Sequence, residues 1–91
     1  MNPLSPDQKE ELRHAVLQAL VIRAPAALTV RQVTRAAKKD LAFLFEESDA
    51  EGACELLRGL DPALVDFRVD GLGSTKYWRA TSAGVLHVER C

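Results

Sequence analysis

The chain has 91 residues, of which 47% are hydrophobic and 27% are charged, and its formal net charge is −1 at pH 7. This length suits one small domain with one core, so we expect a single domain over residues 1–91. A net charge near zero gives no overall attraction to nucleic acid or to an anionic membrane. No apolar run approaches the roughly 20 residues that a transmembrane helix needs, and the N-terminus has no signal-peptide pattern. We therefore expect a cytoplasmic protein.

Two cysteines and two histidines are the residues that would carry metal or nucleophilic chemistry, and their spacing favours neither. Cys54 and Cys91 are too few for a disulfide framework. Together with His14 and His87 they form no zinc-binding pattern. Cys54 lies on a predicted apolar helix face, where a small buried hydrophobic residue is the simpler interpretation. We expect no enzymatic activity, no metal site and no cofactor.

The first predicted helix extends from about Pro6 to Arg23. Ser5 and Gln8 form a capping box, and Pro6 occupies the first helical position. Pro25 ends the helix. The apolar face recurs at helical spacing and consists of Leu12, Ala15, Val16, Ala19 and Leu20.

The second predicted helix begins at another capping box, formed by Thr29 and Gln32. The preceding segment, Ala26–Leu28, is a candidate extended strand that pairs with a later hairpin. Between Ala24 and Lys39 there are four basic residues and no acidic ones. This stretch is the most basic part of the chain, and its bases are Arg31, Arg35, Lys38 and Lys39.

The segment Asp40–Glu47 allows two interpretations. It either continues helix 2 or forms an extended insertion before the next helix. Its apolar residues cover either the core or a partner surface, and they are Leu41, Phe43 and Phe45.

The third predicted helix extends from Asp49 to about Leu60, because Ser48 and Glu51 have the spacing of a capping box. Its predicted buried stripe consists of Ala50, Ala53, Cys54, Leu57 and Leu60. From Asp40 to Asp61 the sequence has seven acidic residues and one basic residue. Helix 3 is therefore expected to expose acidic side chains, among them Asp49, Glu51 and Glu55.

The last third of the chain predicts a β-hairpin followed by a short helix. The strand Leu64–Val69 alternates apolar and polar residues, as expected of a strand with one buried face. A loop follows over residues 70–74, in which Gly71 and Gly73 are expected to allow positive φ. The second strand, Thr75–Ala80, is expected to direct Trp78 inward. Thr81 then caps a final helix of one or two turns.

The run from Tyr77 to Gly84 resembles the aromatic-Arg-apolar-Thr-x-Ala-Gly sequence that follows the wing in winged helix-turn-helix proteins. The order of the elements along the chain is also similar to theirs, and the chain looks like a small bacterial or prophage-type member. This resemblance implies a mainly α fold with a small antiparallel β-hairpin. The turn between the two helices of this motif normally has three to four residues. The turn expected here is longer.

Two functional hypotheses follow. In the first, the resemblance implies a small regulator or accessory factor that binds double-stranded DNA through helix 2 and the wing. Contacts from Lys and Arg to phosphate carry much of the affinity in such complexes. The residues of this hypothesis are Arg31, Arg35, Lys38, Lys39, Arg68, Lys76, Tyr77 and Arg79. The acidic helix 3 opposes it, because carboxylates repel the phosphate backbone and helix 3 is the one that normally enters the major groove.

In the second hypothesis the chain is a protein-interaction or dimerisation module that does not bind nucleic acid. Winged helices also serve as docking domains, and separated basic and acidic patches suit a contact between two chains. The surface would combine an apolar segment with an acidic helix, through Leu41, Phe43, Phe45, Asp49, Glu51 and Glu55. A homodimer is compatible with both hypotheses. Neither requires a membrane or a metal.

Overall fold

The computed structural model describes residues 4–90, and Cys91 lies outside this range. The elements follow one another as α1 (Pro6–Ile22), α2 (Val30–Lys38), α3 (Glu47–Arg58), β1 (Val65–Val69), β2 (Lys76–Ala80) and α4 (Ser82–Arg90). Helix α1 contacts the other three helices and β2, so it lies at the centre of the core. The mainly helical fold with a small antiparallel hairpin is confirmed.

The two predicted capping boxes at the starts of α1 and α2 are confirmed. Ser5 Oγ accepts a hydrogen bond from the backbone N–H of Gln8 at 3.1 Å, and Gln8 Oε1 accepts one from Ser5 at 3.0 Å. Thr29 and Gln32 make the same reciprocal pair at 3.3 and 3.0 Å. Each box satisfies two backbone donors that a helix start leaves without partners.

The predicted pairing of the segment Ala26–Leu28 with the hairpin is confirmed at one residue, Leu28. Leu28 and Trp78 exchange two backbone hydrogen bonds, each 2.7 Å long, so Leu28 pairs with β2 beside the hairpin. Both side chains are buried. This bridge joins the N-terminal half of the chain to the hairpin.

The segment between α2 and α3 is an irregular loop over residues 39–46, so the interpretation as a continuation of helix 2 is wrong. The loop is longer than the usual helix-turn-helix turn. Phe45 anchors it, since this side chain is 6% exposed and belongs to the hydrophobic core. Burial of Phe45 holds the loop against the helices instead of extending α2.

Helix α3 begins earlier than Ser48 predicts. Its N-cap is Glu46, whose backbone N–H donates to Asp49 Oδ2 at 2.9 Å. The carboxylates of Glu47 and Asp49 in the first turn complement the positive end of the helix dipole. Ser48 is therefore an ordinary exposed residue of the first turn, and its assignment as the cap was wrong.

The prediction that Leu60 belongs to the buried stripe of α3 was wrong. Helix α3 ends at Arg58 with Gly59 as its C-cap, so Leu60 lies beyond the helix and is 43% exposed. The rest of the predicted stripe is buried, namely Ala50, Ala53, Cys54 and Leu57.

The hairpin register pairs Val65 with Ala80 and Phe67 with Trp78. Trp78 is fully buried, as expected, whereas Val69 near the loop is 48% exposed. No glycine in residues 4–90 has positive φ, so that expectation was wrong for Gly71 and Gly73. Asp70 organises the loop instead, because its side chain accepts from the backbone N–H of Leu72 and its carbonyl accepts from Gly73.

Helix α4 is longer than the predicted one or two turns, since it extends from Ser82 to Arg90. Thr81 caps it, as expected. Its Oγ1 accepts from the backbone N–H of Gly84 at 3.1 Å and donates to the carbonyl of Ala63 at 2.7 Å. The same hydroxyl group thus starts α4 and fastens it to the segment before β1.

Candidate nucleic-acid interface

Three of the four predicted wing residues share the outer face of the hairpin. Arg68 and Tyr77 are directly opposite each other across the strands, and Arg79 follows Tyr77 on the same face of β2. All three are exposed and line one depression together with Pro25 and Ala27. This arrangement combines two guanidinium groups with an aromatic ring.

Lys76 lies on the opposite face of the hairpin. It points to the same side as Trp78, and its Nζ lies 5.0 Å from the centroid of the Phe67 ring. The same Nζ is 3.1 Å from Oε1 of Glu55 on α3. Lys76 therefore joins the wing to α3, while Arg68, Tyr77 and Arg79 face away from it. The alternation of side chains along β2 was a signal that could have separated Lys76 from its two neighbours.

The four bases of α2 and its C-cap, Lys39, divide into two groups. Arg31 Nε lies 3.6 Å from Oε1 of Glu47, an ion pair between two exposed side chains. Arg35 and Lys39 are one helical turn apart and line a common depression, and Lys38 Nζ lies 6.0 Å from the Phe45 ring centroid. Of the basic residues predicted for the site, those that take part in no ion pair within residues 4–90 are Arg35, Lys38, Lys39, Arg68 and Arg79.

An acidic stripe runs along the exposed face of α3. Glu47, Glu51 and Glu55 are spaced four residues apart, which places them on one side of the helix. Arg31 pairs with the first and Lys76 with the third, and Glu51 shares a depression with both bases. The surface between α2 and the wing is thus carboxylate-rich and partly neutralised from both sides. Asp49 is half-buried and serves the helix start.

Arg58 is a basic residue that the sequence interpretation left out of the site. Its guanidinium lies 4.5 Å from the centroid of the Phe67 ring, and its Nε is 3.8 Å from Oδ1 of Asp66. Asp66 is directly opposite Arg79 in the hairpin register. The carboxylate across the strands from Arg79 is therefore paired with Arg58 and not with Arg79.

The apolar segment before α3 presents a different surface from the expected one. Phe45 is buried, and Leu41 and Phe43 are half-buried against the core, with the two phenylalanine rings 6.1 Å apart. Leu44, which was not among the candidates, is 94% exposed. Leu44 points outward in this loop, whereas its neighbours Phe43 and Phe45 point toward the core.

His14 and His87 line one groove beside α1, and Cys54 is not part of its lining. Cys54 is fully buried in α3, and burial raises the pKa of its thiol from 9.0 to about 12, with Glu55 and Glu51 acting in the same direction. Residues 4–90 hold no group of three or more side chains suited to a metal ion. Over the same range, no helix is both long enough and apolar enough to cross a membrane.

Comparison with known proteins supplies the fold. No protein-family model matches the chain, and no curated protein matches it. The crystal structure of a MepR mutant from a multidrug resistant S. aureus clinical isolate is similar, with a TM-score of 0.65 at 20% sequence identity. The match covers 89% of this chain and 53% of the MepR chain, so the chain spans about half of that protein. MepR is a winged-helix regulator of the MarR family, and the chain described here has the winged helix-turn-helix fold.

Proposed function

We propose that this chain is a DNA-associated winged-helix module, acting as a small regulator or accessory factor. The observation that carries this proposal is the set of exposed bases on α2 and the wing that form no ion pair within residues 4–90. They are Arg35, Lys38, Lys39, Arg68 and Arg79. Tyr77 lies between the two wing arginines and offers an aromatic surface to a sugar or a base.

The proposed mode of binding is contact with the phosphate backbone. In winged-helix docking, the second helix of the motif reads base edges in the major groove. Here that helix carries Glu47, Glu51 and Glu55 on its exposed face, and carboxylates repel phosphates. We therefore expect binding that depends strongly on salt and weakly on sequence, because phosphate contacts carry no sequence information directly.

The test is titration of a fluorescent random-sequence DNA duplex at several salt concentrations. The double variant Arg35→Glu/Lys39→Glu removes two expected phosphate contacts from α2 and adds two repulsive charges. We expect weaker binding at every salt concentration. The slope of log K against log salt is negative and should become shallower by about two, because each phosphate contact contributes about −0.9.

A matched control changes the net charge equally away from the candidate surface. Lys9→Glu/Arg90→Glu alters two exposed bases on α1 and α4 and should change the salt slope less. An α2 variant that binds as tightly as the unchanged protein, with the same slope, would contradict the assignment of α2.

The second candidate function is a protein-interaction module without nucleic-acid binding. The observation that favours it is Leu44, which is 94% exposed and precedes the acidic helix α3 by three residues. Size exclusion with mass detection on the same samples separates the two. Absence of DNA binding at low salt together with a discrete dimer would replace the DNA proposal with this one.

A further inference from the structure

A groove lined by leucines runs between α1, the C-terminal part of α3 and α4. Its volume is about 890 Å³. Leu41, Leu56 and Leu60 lie on its apolar side, and Leu56 and Leu60 are 46% and 43% exposed. Leu56 and Leu60 thus keep part of their apolar surface exposed on one concave surface, beside the buried Leu57 and Leu64. We call this feature the leucine groove.

The rim of the leucine groove is acidic. Four carboxylates line it, from Asp7, Glu10 and Glu11 on α1 and Asp40 after α2, and the basic side chains of the lining are Arg13, His14 and His87. None of the four carboxylates forms an ion pair in the part of the chain that the structure describes. An apolar floor and an acidic rim are complementary to a partner that carries apolar and basic side chains on one face.

The length of the leucine groove suits a short helix. Along α1 its lining extends from Asp7 to Gln18. At a rise of about 1.5 Å per residue this stretch is roughly 16 Å long, which corresponds to about three turns of a helix lying alongside. Helices bound in this way insert apolar residues at positions i, i+3, i+4 and i+7.

We propose that the leucine groove docks a basic amphipathic helix of another protein. A second copy of this chain is a poorer match. Its basic helix α2 offers Arg35 and Lys39, but the apolar residues of α2, Val33 and Ala37, are fully buried in their own core. The groove lining includes none of the proposed DNA-contacting residues, so the two proposals stand separately.

The probe is a fluorescent synthetic peptide about four turns long. It carries Leu at i, i+3, i+4 and i+7 and Lys at the other positions. Its counterpart replaces every Lys with Glu. We expect the Leu/Lys peptide to bind in the micromolar range and the Leu/Glu peptide to bind at least about tenfold more weakly, a difference of about 1.4 kcal/mol.

Two variants test the apolar and the acidic parts of the leucine groove. The variant Leu56→Gln/Leu60→Gln should bind the Leu/Lys peptide about tenfold more weakly, or weaker still. The matched control, Leu44→Gln/Leu72→Gln, changes two leucines that are almost fully exposed elsewhere and should bind as before. Glu10→Lys/Glu11→Lys should also weaken binding, more than Glu51→Lys/Glu89→Lys, which makes the same charge change outside the groove.

The proposal is overturned if the Leu/Lys peptide does not bind at low salt, or if binding is equally strong after both groove variants. A discrete dimer that the leucine substitutions dissociate would also overturn it, because a second copy would then cover the groove. The DNA titration distinguishes a failure here from a failure of the proposed function. Both groove variants should bind DNA at least as well as the unchanged protein.

Discussion

Gly84 occupies the point where α4 passes closest to the segment before β1. A Cβ atom built on Gly84 would overlap the carbonyl oxygen of Leu64 and lie 3.3 Å from Cδ1 of Leu17. Three hydrogen bonds hold the two segments together. The backbone N–H of Thr81 donates to the carbonyl of Leu64, and the Thr81 hydroxyl donates to the carbonyl of Ala63. The backbone N–H of Gly84 donates to the same hydroxyl. The backbone of Leu64 therefore has little freedom to move away.

Gly84→Ala should lower the free energy of unfolding by about 1–3 kcal/mol, the usual cost of overpacking. Gly52→Ala is the matched control, since Gly52 is also helical and its Cβ would meet nothing within 4 Å. That control should stabilise the protein by up to about 1 kcal/mol, because Ala favours helix more than Gly. Urea unfolding of both variants checks the difference, and equal stabilities would contradict the close packing of α4.

At the scale of elements, the start of α3 depends on a choice between two overlapping capping patterns. Ser48 with Glu51 and Glu46 with Asp49 both have the required three-residue spacing. The structure uses the earlier pair, with Asp49 accepting from the backbone of Glu46. Phe45 lies in the core immediately before the cap, so its burial determines where the chain turns into the helix.

Asp49→Ala should destabilise the protein by about 0.5–1 kcal/mol, because it removes this hydrogen bond and a favourable charge near the helix N-terminus. Ser48→Ala should have almost no effect, or stabilise slightly, since Ala is the better helix former. Thermal or urea unfolding of the two single variants measures both effects. A larger loss for Ser48→Ala would restore Ser48 as the cap.

At the scale of the whole molecule, one core gathers side chains from every helix and both strands around α1. Leu12, Val16 and Leu20 of α1 belong to the same cluster as Cys54 of α3, Val33 of α2 and Trp78 of β2. The basic side chains of α2 and the acidic side chains of α3 lie outside this core, on the surface. Cys54 lies in this core, so its ionisation is coupled to folding.

The buried thiol makes the stability depend on pH in a defined direction. Burial raises the pKa of Cys54 from 9.0 to about 12, so the folded state holds this proton more tightly than the unfolded state. The stabilisation is complete below pH 9 and is lost as the pH rises from about 9 toward 12. The free energy of unfolding should therefore fall by about 1.4 kcal/mol between pH 8 and pH 10 from this group.

Urea unfolding at the two pH values measures this loss. Cys54→Ala should be less stable overall but should lack this part of the decrease, while other titrating groups contribute equally to both proteins. An identical decrease in the variant would show that Cys54 ionises without unfolding.

Local patterns in the sequence determined much of the fold. The capping boxes of α1 and α2 join residues three positions apart, and the alternation that buries Trp78 repeats every second residue, so neighbouring residues suffice to predict them. The same alternation contained the information that Lys76 faces away from Tyr77.

Tertiary structure alone decided which capping pattern starts α3, that Glu55 engages Lys76, and that Leu41, Leu56 and Leu60 meet beside the carboxylates of α1. The last two features join side chains far apart in the chain, and the choice of cap depends on the burial of Phe45 in the core. Their distances depend on how α1 packs against the other elements, and that packing is a property of the folded core as a whole.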